Sequence, residues 1–155
     1  MRIIADLHIH SGYSRATSPD MTLDTVNKWA RIKGISLVGT GDFTHPAHFG
    51  AINGRLTPAG NGLFVLKESR NEERPVSFML TAEVCNIYTQ DGKTRKVHNL
   101  IFVDSIEAAR RINTVLASLG NVSSAGRPVF GFPAKDLLKI VLDASPDAML
   151  IPAHA

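Results

Sequence analysis

The hydrophobic positions of the chain follow two spacings, and each spacing predicts one kind of element. Short apolar runs bounded by glycine, proline or aspartate favour β-strands, whereas apolar positions three and four residues apart favour helices. The predicted strands cover residues 2–7, 35–38, 63–66, 76–88, 96–103 and 148–152. The predicted helices cover residues 23–33, 106–119 and 135–142. Strands that alternate with helices predict an α/β fold with a mostly parallel sheet.

Single residues predict where several of these elements end. Thr22 and Ser105 are typical N-cap residues, and Gly34 and Gly120 are typical of helix C-termini. The Asp91-Gly92 pair predicts a two-residue turn that joins the two longest strands into a hairpin.

Two segments carry no periodic pattern. No element is predicted for the glycine- and proline-rich stretch 45–62, and residues 121–133 are predicted to form a loop. Because the chain stops directly after an apolar strand, we expect the 155 residues to be part of a longer protein.

Composition limits the class of protein. Of 155 residues, 44% are hydrophobic and 20% are charged, which predicts one folded domain rather than a disordered chain. No apolar run reaches the roughly 20 residues of a membrane span, and the first residues lack a secretory pattern. The single cysteine, Cys85, is interpreted as a buried hydrophobic residue and favours a cytoplasmic location. The net charge of +3 is compatible with a polyanionic partner.

Residues with metal-binding side chains stand where the predicted strands end. His8 and His10 follow the first strand, Asp42 follows the second, and His154 follows the last. In an extended chain, residues two apart point to the same face, so the two N-terminal imidazoles face one way. Because strand ends in α/β folds meet at one rim, these side chains are predicted to cluster there.

The hairpin supplies two more candidates. A two-residue Asp-Gly turn places Cys85 opposite His98. Glu83 lies two residues from Cys85 on the same face, so Glu83 and His98 are diagonal neighbours within reach of one ion. A carboxylate can bridge two cations, and imidazole nitrogens suit zinc, manganese or iron.

Each candidate also has a simpler interpretation. A histidine at a strand end is usually a hydrogen-bonded polar residue, and Glu83 could be a buried group paired with arginine or lysine. The combination is harder to explain in this way, because ligand-type side chains recur at several strand ends and in the hairpin. Two or three metals close together stabilise both oxygens of an in-line phosphoryl displacement. The pattern therefore favours a metal-dependent phosphoesterase.

The motifs around these residues resemble a known family. Residues 6–11, DLHIHS, look like the opening motif of the PHP superfamily (polymerase and histidinol phosphatase), and within it the match to endonuclease Q is the closer one. The segments that carry the resemblance are DLHIHSGYSRATS (6–18), GTGDFTHP (39–46), LTAEV (80–84), KTRKVHNLIF (93–102) and LIPAHA (150–155). The resemblance implies that residues 1–155 are the N-terminal portion of a PHP-type domain, an α/β fold that forms part of a distorted (β/α)7 TIM-like barrel.

The resemblance also implies a function. Similarity to endonuclease Q implies a DNA-repair endonuclease that cuts DNA containing deaminated bases (uracil, hypoxanthine or xanthine) on the 5′ side of the lesion. It implies two or three divalent metals, with zinc favoured and manganese, magnesium or iron as alternatives. His8 and His10 would bind one metal, and Glu83 would bridge to a second. His98 and His154 would help to hold that second metal.

The chain departs from the family pattern in several places. Asp42 stands where many superfamily members have a histidine, so it would serve a third metal and is a possible catalytic residue. Ser14-Arg15-Ala16 stands where many members have Ser-Asp-Gly, so Arg15 is expected to contact phosphate. The late Asp-x-His motif and the cysteine-rich zinc module of endonuclease Q are absent from the 155 residues, so we expect these residues alone to be inactive.

Cations beside the hairpin turn are candidates for contact with the DNA backbone. They are Lys93, Arg95 and Lys96. A charged strand edge that prevents unwanted strand pairing is an equally good interpretation.

Four further side chains receive structural interpretations. His45 and His48 are expected to lie in the loop after Asp42, and His45 is expected to be exposed to solvent rather than to support the metal ligands. Trp29 is expected to pack in the core, and Phe43 to pack within its loop rather than stack on a base.

Two other functions stay open from the sequence. A small-molecule phosphatase, such as a histidinol-phosphatase-like enzyme, would use the same metals on a phosphomonoester. A non-catalytic domain would bind metal or a partner structurally, although the near-complete set of ligand-type residues speaks against it. The basic hairpin tip favours the nuclease only slightly.

Overall fold

The elements of the chain are described for residues 2–15 and 17–154 of a computed structural model. The strands are β1 (Ala5–Asp6), β2 (Leu37–Gly39), β3 (Leu56–Gly60), β4 (Leu63–Leu66), β5 (Ser77–Gln90), β6 (Lys93–Val103), β7 (Val129–Phe130) and β8 (Met149–Ala153). The helices are α1 (Leu23–Lys33), α2 (Pro46–Arg55), α3 (Ile106–Leu119) and α4 (Ala134–Ala144). Ala16 and Ala155, which belong to two of the motif segments, lie outside the described residues. Within those ranges, no helix combines the length and the apolar character that crossing a membrane requires.

The long strand β5 organises the sheet. Strand β2 runs parallel to its first residues, and β1 lies parallel to β2. Strand β6 runs antiparallel along the rest of β5, and β8 lies antiparallel to β6. Strands β3 and β4 add antiparallel pairs, and β7 adds a short parallel one. The sheet is therefore mixed, and the expectation of a mostly parallel sheet is wrong, because the hairpin and the return of β8 introduce antiparallel pairs. The curved sheet with its helices is consistent with a partial barrel.

The hairpin has the register that its turn predicts. Asp91 and Gly92 both have left-handed backbone conformations, with φ of 53° and 70°, as a two-residue type I′ turn requires. This turn pairs Cys85 with His98. The predicted register is confirmed, and the two strands extend to the turn on both sides.

The predicted helix ends are also confirmed. The Thr22 side chain accepts a hydrogen bond from the backbone N–H of Thr25, and Ser105 accepts one from Ala108. Helix α1 ends at Gly34, whose φ of 70° is easily adopted only without a side chain. These caps fix where α1 and α3 begin.

The glycine- and proline-rich stretch contains two elements that its composition does not predict. Pro46 occupies the first turn of α2, where its missing N–H costs no hydrogen bond. Ile52 is fully buried and anchors this helix in the core. Strand β3 follows directly. The loop predicted at 121–133 likewise contains the short strand β7.

Two predictions at the N-terminal edge are wrong. Trp29 is 51% exposed, because α1 turns Leu23 and Ala30 into the core instead. Strand β1 is shorter than predicted, and Ile3 and Ile4 before it are exposed.

Helices α3 and α4 pack against each other on the core. Their inward faces are fully buried at Ala108, Ala109, Ile112, Leu116, Leu137 and Val141. Because such close packing leaves no room for adjustment, loss of a buried side chain here is costly.

Replacing Ile112 by alanine is expected to lower the free energy of unfolding by about 2–5 kcal/mol, because the substitution leaves a cavity in the core. Val115 lies on the same helix and is 40% exposed, so Val115→Ala serves as the matched control. Val115→Ala is expected to change the free energy of unfolding by no more than about 0.5 kcal/mol. Urea denaturation followed by circular dichroism measures both, and equal midpoints would contradict the assignment of Ile112 to the core.

Candidate metal centre

The side chains predicted as metal ligands meet around Glu83. The carboxylate oxygen Oε1 lies 2.8 Å from Nδ1 of His98, as the hairpin register predicts. The other oxygen, Oε2, lies 2.9 Å from Nε2 of His10 and 3.3 Å from Nε2 of His8. The two oxygens therefore face different imidazoles.

His154 completes this cluster from the end of β8. Its ring stacks on His8 with a centroid distance of 5.1 Å and meets His98 edge-on at 5.3 Å. One ligand atom each from His8, Glu83 and His154 lie within 4.8 Å of one another. In a tetrahedral zinc site with bond lengths of about 2.0–2.2 Å, two donor atoms lie about 3.3–3.6 Å apart. The three side chains would therefore have to draw closer together to share one ion.

The chemistry of Glu83 fits a cation at this place. Its side chain is 1% exposed, and Oε1 accepts no well-aligned hydrogen bond from the part of the chain that the structure describes, although the His98 nitrogen is close. A buried ionised oxygen without a donor is costly. A divalent cation shared with the imidazoles would remove that cost, and the mixed nitrogen and oxygen donors suit zinc, manganese or iron.

Asp42 lies next to the cluster and contacts it through His10. Its Oδ1 lies 2.9 Å from Nδ1 of His10, on the opposite side of the ring from Glu83. Its Oδ2 accepts hydrogen bonds from the backbone and side chain of Ser11 and from the side chain of Ser14. The carboxylate is fully buried, and Gly126 packs so closely against it that a Cβ there would lie 2.3 Å from Oδ2. This geometry favours an orienting partner of His10 over a metal ligand, as carboxylates often serve metal-bound histidines.

Two glycines allow the segment after β2 to approach the two N-terminal histidines. A Cβ at Gly39 would lie 2.7 Å from the carbonyl oxygen of Leu7, and one at Gly41 would lie 2.6 Å from that of Ile9. Gly41 also has a φ of 63°. The Gly-x-Gly-Asp sequence thus brings Asp42 under His10, where its own φ of 44° is held by the surrounding hydrogen bonds.

The charges in this cluster depend on one another. Hydrogen bonds to Asp42 and then to Glu83 raise the pKa of His10 to about 9, against the opposing effect of burial. Burial alone would raise the pKa of Glu83, but hydrogen bonds from His10 and His8 and the charge of Arg127 lower it to about 2. Burial, followed by the charge of Arg127, lowers the pKa of His98. Protonated His10 and the nearby Arg127 therefore offset the charges of the two buried acids.

Arg127 is a neighbour of the cluster that sequence reasoning missed. Its guanidinium Nη1 lies 3.5 Å from Glu83 Oε1 and 3.4 Å from His98 Nδ1. Arg127 stands in the segment between α3 and β7, where no local pattern marks it. Its place depends on how that segment lies over the hairpin.

A cavity of about 350 Å³ opens beside the cluster. Its lining residues are His10, Ser14, Arg15, Asn121, Ser124, Ala125, Arg127 and Val129. Arg15, the predicted phosphate contact, therefore lies next to the candidate metal centre. The other predicted DNA contacts, Lys93, Arg95 and Lys96, are exposed on the hairpin.

The prediction that His45 is exposed is wrong, and His48 lies in helix α2 rather than in a loop. His45 is 8% exposed and lies with Nε2 3.2 Å from the carbonyl oxygen of Ser123. His48 is 4% exposed and lies 3.1 Å from the carbonyl oxygen of Thr40, and burial lowers its pKa. Both serve packing. Phe43 is fully buried, as its structural interpretation predicts.

Comparisons with known proteins give three relatives, although no protein-family model matches the chain. An uncharacterized protein of Methanocaldococcus jannaschii, MJ0043, is 31% identical over 150 residues, which are 96% of this chain and 16% of that protein. The crystal structure of the lesion-specific endonuclease PfuEndoQ from Pyrococcus furiosus matches 100% of this chain with a TM-score of 0.81 and 30% identity. A crystal structure of endonuclease Q in complex with a 27-mer duplex substrate, with an abasic lesion at the active site, matches with a TM-score of 0.82 and 31% identity.

The chain spans 35% of the length of each of these solved structures. The match nevertheless extends over the whole of this chain, and it links sequence identity with a shared fold. The resemblance predicted from the motifs is confirmed: in sequence and in structure, this chain is a relative of the part of endonuclease Q that it covers.

Proposed function

We propose that this chain provides the metal site of a metal-dependent DNA endonuclease that cuts 5′ to a deaminated base. The observation that carries the proposal is the convergence of four histidines on the buried carboxylate of Glu83. The fold around them is similar to that of a lesion-specific endonuclease. Of the functions left open by the sequence, a nuclease fits both facts.

The proposed ligands of two or three divalent metals, with zinc favoured, are His8, His10, Glu83, His98 and His154. When bound, such cations supply charge that stabilises the attacking and leaving oxygens of an in-line phosphoryl displacement. Asp42, expected from the resemblance to serve a third metal, is assigned instead to holding the His10 ring in place, because its oxygens are occupied by other donors.

The proposed DNA contacts are Arg15 and three cations of the hairpin. Arg15 lines the cavity beside His10, and it is exposed. The hairpin cations, Lys93, Arg95 and Lys96, are also exposed, which supports their assignment as further contacts with the DNA backbone. Contacts of this kind bind phosphates without reading the base sequence.

Replacing Glu83 by alanine is expected to remove more than one metal ion per chain, because the carboxylate is shared between ions. Elemental analysis of the purified whole protein measures the metal content, and Glu83→Gln tests the charge with less disturbance of packing. Glu107→Ala, on the exposed surface of α3, is the matched control and should keep the wild-type metal content. Loss of only one ion from the Glu83 variants would contradict the bridging role.

A fluorescent duplex with one uracil is expected to be cut once, on the 5′ side of the lesion, by the whole protein with divalent metal. Chelation should abolish the cut, and the same duplex with thymine should stay intact. An uncut uracil duplex beside an active reference nuclease would count against the proposal. Turnover of an aryl phosphate with intact DNA would indicate a phosphomonoesterase instead.

Metal binding is expected to release a proton from His10 at pH values below about 9. A His10 pKa of about 9 means that its imidazole is protonated at neutral pH, so a metal must displace that proton and binds more tightly as pH rises. The folding stability of the metal-free protein depends on pH in the opposite direction and falls as pH rises. The stability supplied by protonated His10 is complete below pH 6.5 and is lost as pH rises through 9.

Calorimetric zinc titrations in two buffers of different ionisation enthalpy measure this release. Asp42→Asn should release fewer protons near neutral pH than the wild type, because the hydrogen bond to Asp42 is the largest cause of the raised His10 pKa. Equal release from the two proteins would show that Asp42 does not hold the proton on His10.

A further inference from the structure

The backbone on both sides of Arg127 is tied to the metal centre. The Gly126 N–H donates to the carbonyl of Tyr13, and the Gly126 carbonyl accepts from the side chain of Thr44. The carbonyl of Pro128 accepts a hydrogen bond from the backbone N–H of Cys85, two residues from Glu83. Arg127 therefore stands on a fixed backbone, which is the support that a functional side chain needs.

The Arg127 guanidinium pairs only loosely with its neighbours in the cluster. The distances of 3.5 Å to Glu83 and 3.4 Å to His98 exceed the roughly 2.7–2.9 Å of a charge-assisted hydrogen bond. The Arg127 side chain is 41% exposed, whereas that of Glu83 is 1% exposed. A guanidinium has donors only and cannot bind a metal. Arg127 thus lies at the border of the cluster with donors left over.

The cavity that Arg127 lines has the charge of an anion site. Arg15 lines the same cavity, and Ser14, Asn121 and Ser124 add polar groups. Among the described residues that line it, none carries a carboxylate. Two arginines that face one space repel each other unless an anion lies between them.

We propose that Arg127 binds the phosphate on which the metal centre acts, an inference that rests on the proposed function. In the metal-free protein its charge faces Glu83 and His98. Cations held by those two residues would repel the guanidinium, and the open direction is the cavity beside it. There the planar guanidinium of Arg127 donates two hydrogen bonds to phosphate oxygens, and Arg15 contacts the same anion.

The test compares Arg127→Ala and Arg127→Lys with the wild-type whole protein. The first readout is metal content, which should stay unchanged because arginine supplies no ligand atom. The second is the Kd of inorganic phosphate for the metal-loaded protein, measured by calorimetry. The alanine variant should bind phosphate about 10- to 100-fold more weakly, as expected for loss of a charge-assisted contact. The lysine variant should recover part of the phosphate affinity, because lysine keeps the positive charge but lacks the paired N–H donors of a guanidinium.

The third readout is the nicking rate on the uracil duplex, where kcat/KM should fall by a similar factor. Arg110→Ala on α3, whose exposed side chain pairs with Glu107, is the control and should match the wild type in all three readouts. An unchanged phosphate Kd in Arg127→Ala, or a loss of metal from it, would overturn the inference even if the wild-type protein cuts DNA. If Arg127→Ala weakens phosphate binding but the wild-type protein cuts no DNA, only the proposed function would be contradicted.

Discussion

Glu83 carries an ionised group inside the sheet, and the surrounding elements are arranged so that this charge has partners. Moving a carboxylate out of water is costly unless opposite charge or hydrogen bonds compensate. The segment after β1 brings two histidines to it, and β6 and the end of β8 bring one each. Arg127 approaches from the segment before β7. A proton on His10 meets this demand in the metal-free protein. The divalent cations proposed for this site would meet it more completely, and folding and metal binding would then use the same buried charge.

The second buried carboxylate, that of Asp42, links two distant segments of the chain. It is reached from β2 through a turn that two glycines make possible, and it holds the ring of His10 and the backbone of Ser11. The left-handed backbone of Asp42 is a local cost that these hydrogen bonds offset. The histidine pair and the Gly-x-Gly-Asp segment are therefore one structural unit, although about thirty residues separate them.

The sequence predicts the hairpin half of the site better than its loop half. An Asp-Gly turn sets strand register residue by residue, so the meeting of Glu83 and His98 follows from local rules. The position of Arg127 and the burial of His45 depend on how distant loops lie over one another, and no local pattern encodes that. Helix α2 escapes prediction for a different reason: its glycines and proline are typical of loops, while burial of its apolar side chains stabilises a helix.

Strands β1 and β8 each have a single hydrogen-bonding neighbour among the described residues. Apolar side chains lie exposed near both of them, at Ile3, Ile4, Met149 and Ile151. Open strand edges of this kind act as templates for the backbone of another molecule. We expect isolated copies of these 155 residues to self-associate through these edges as their concentration rises, and a lysine on each of the two edges to oppose that pairing.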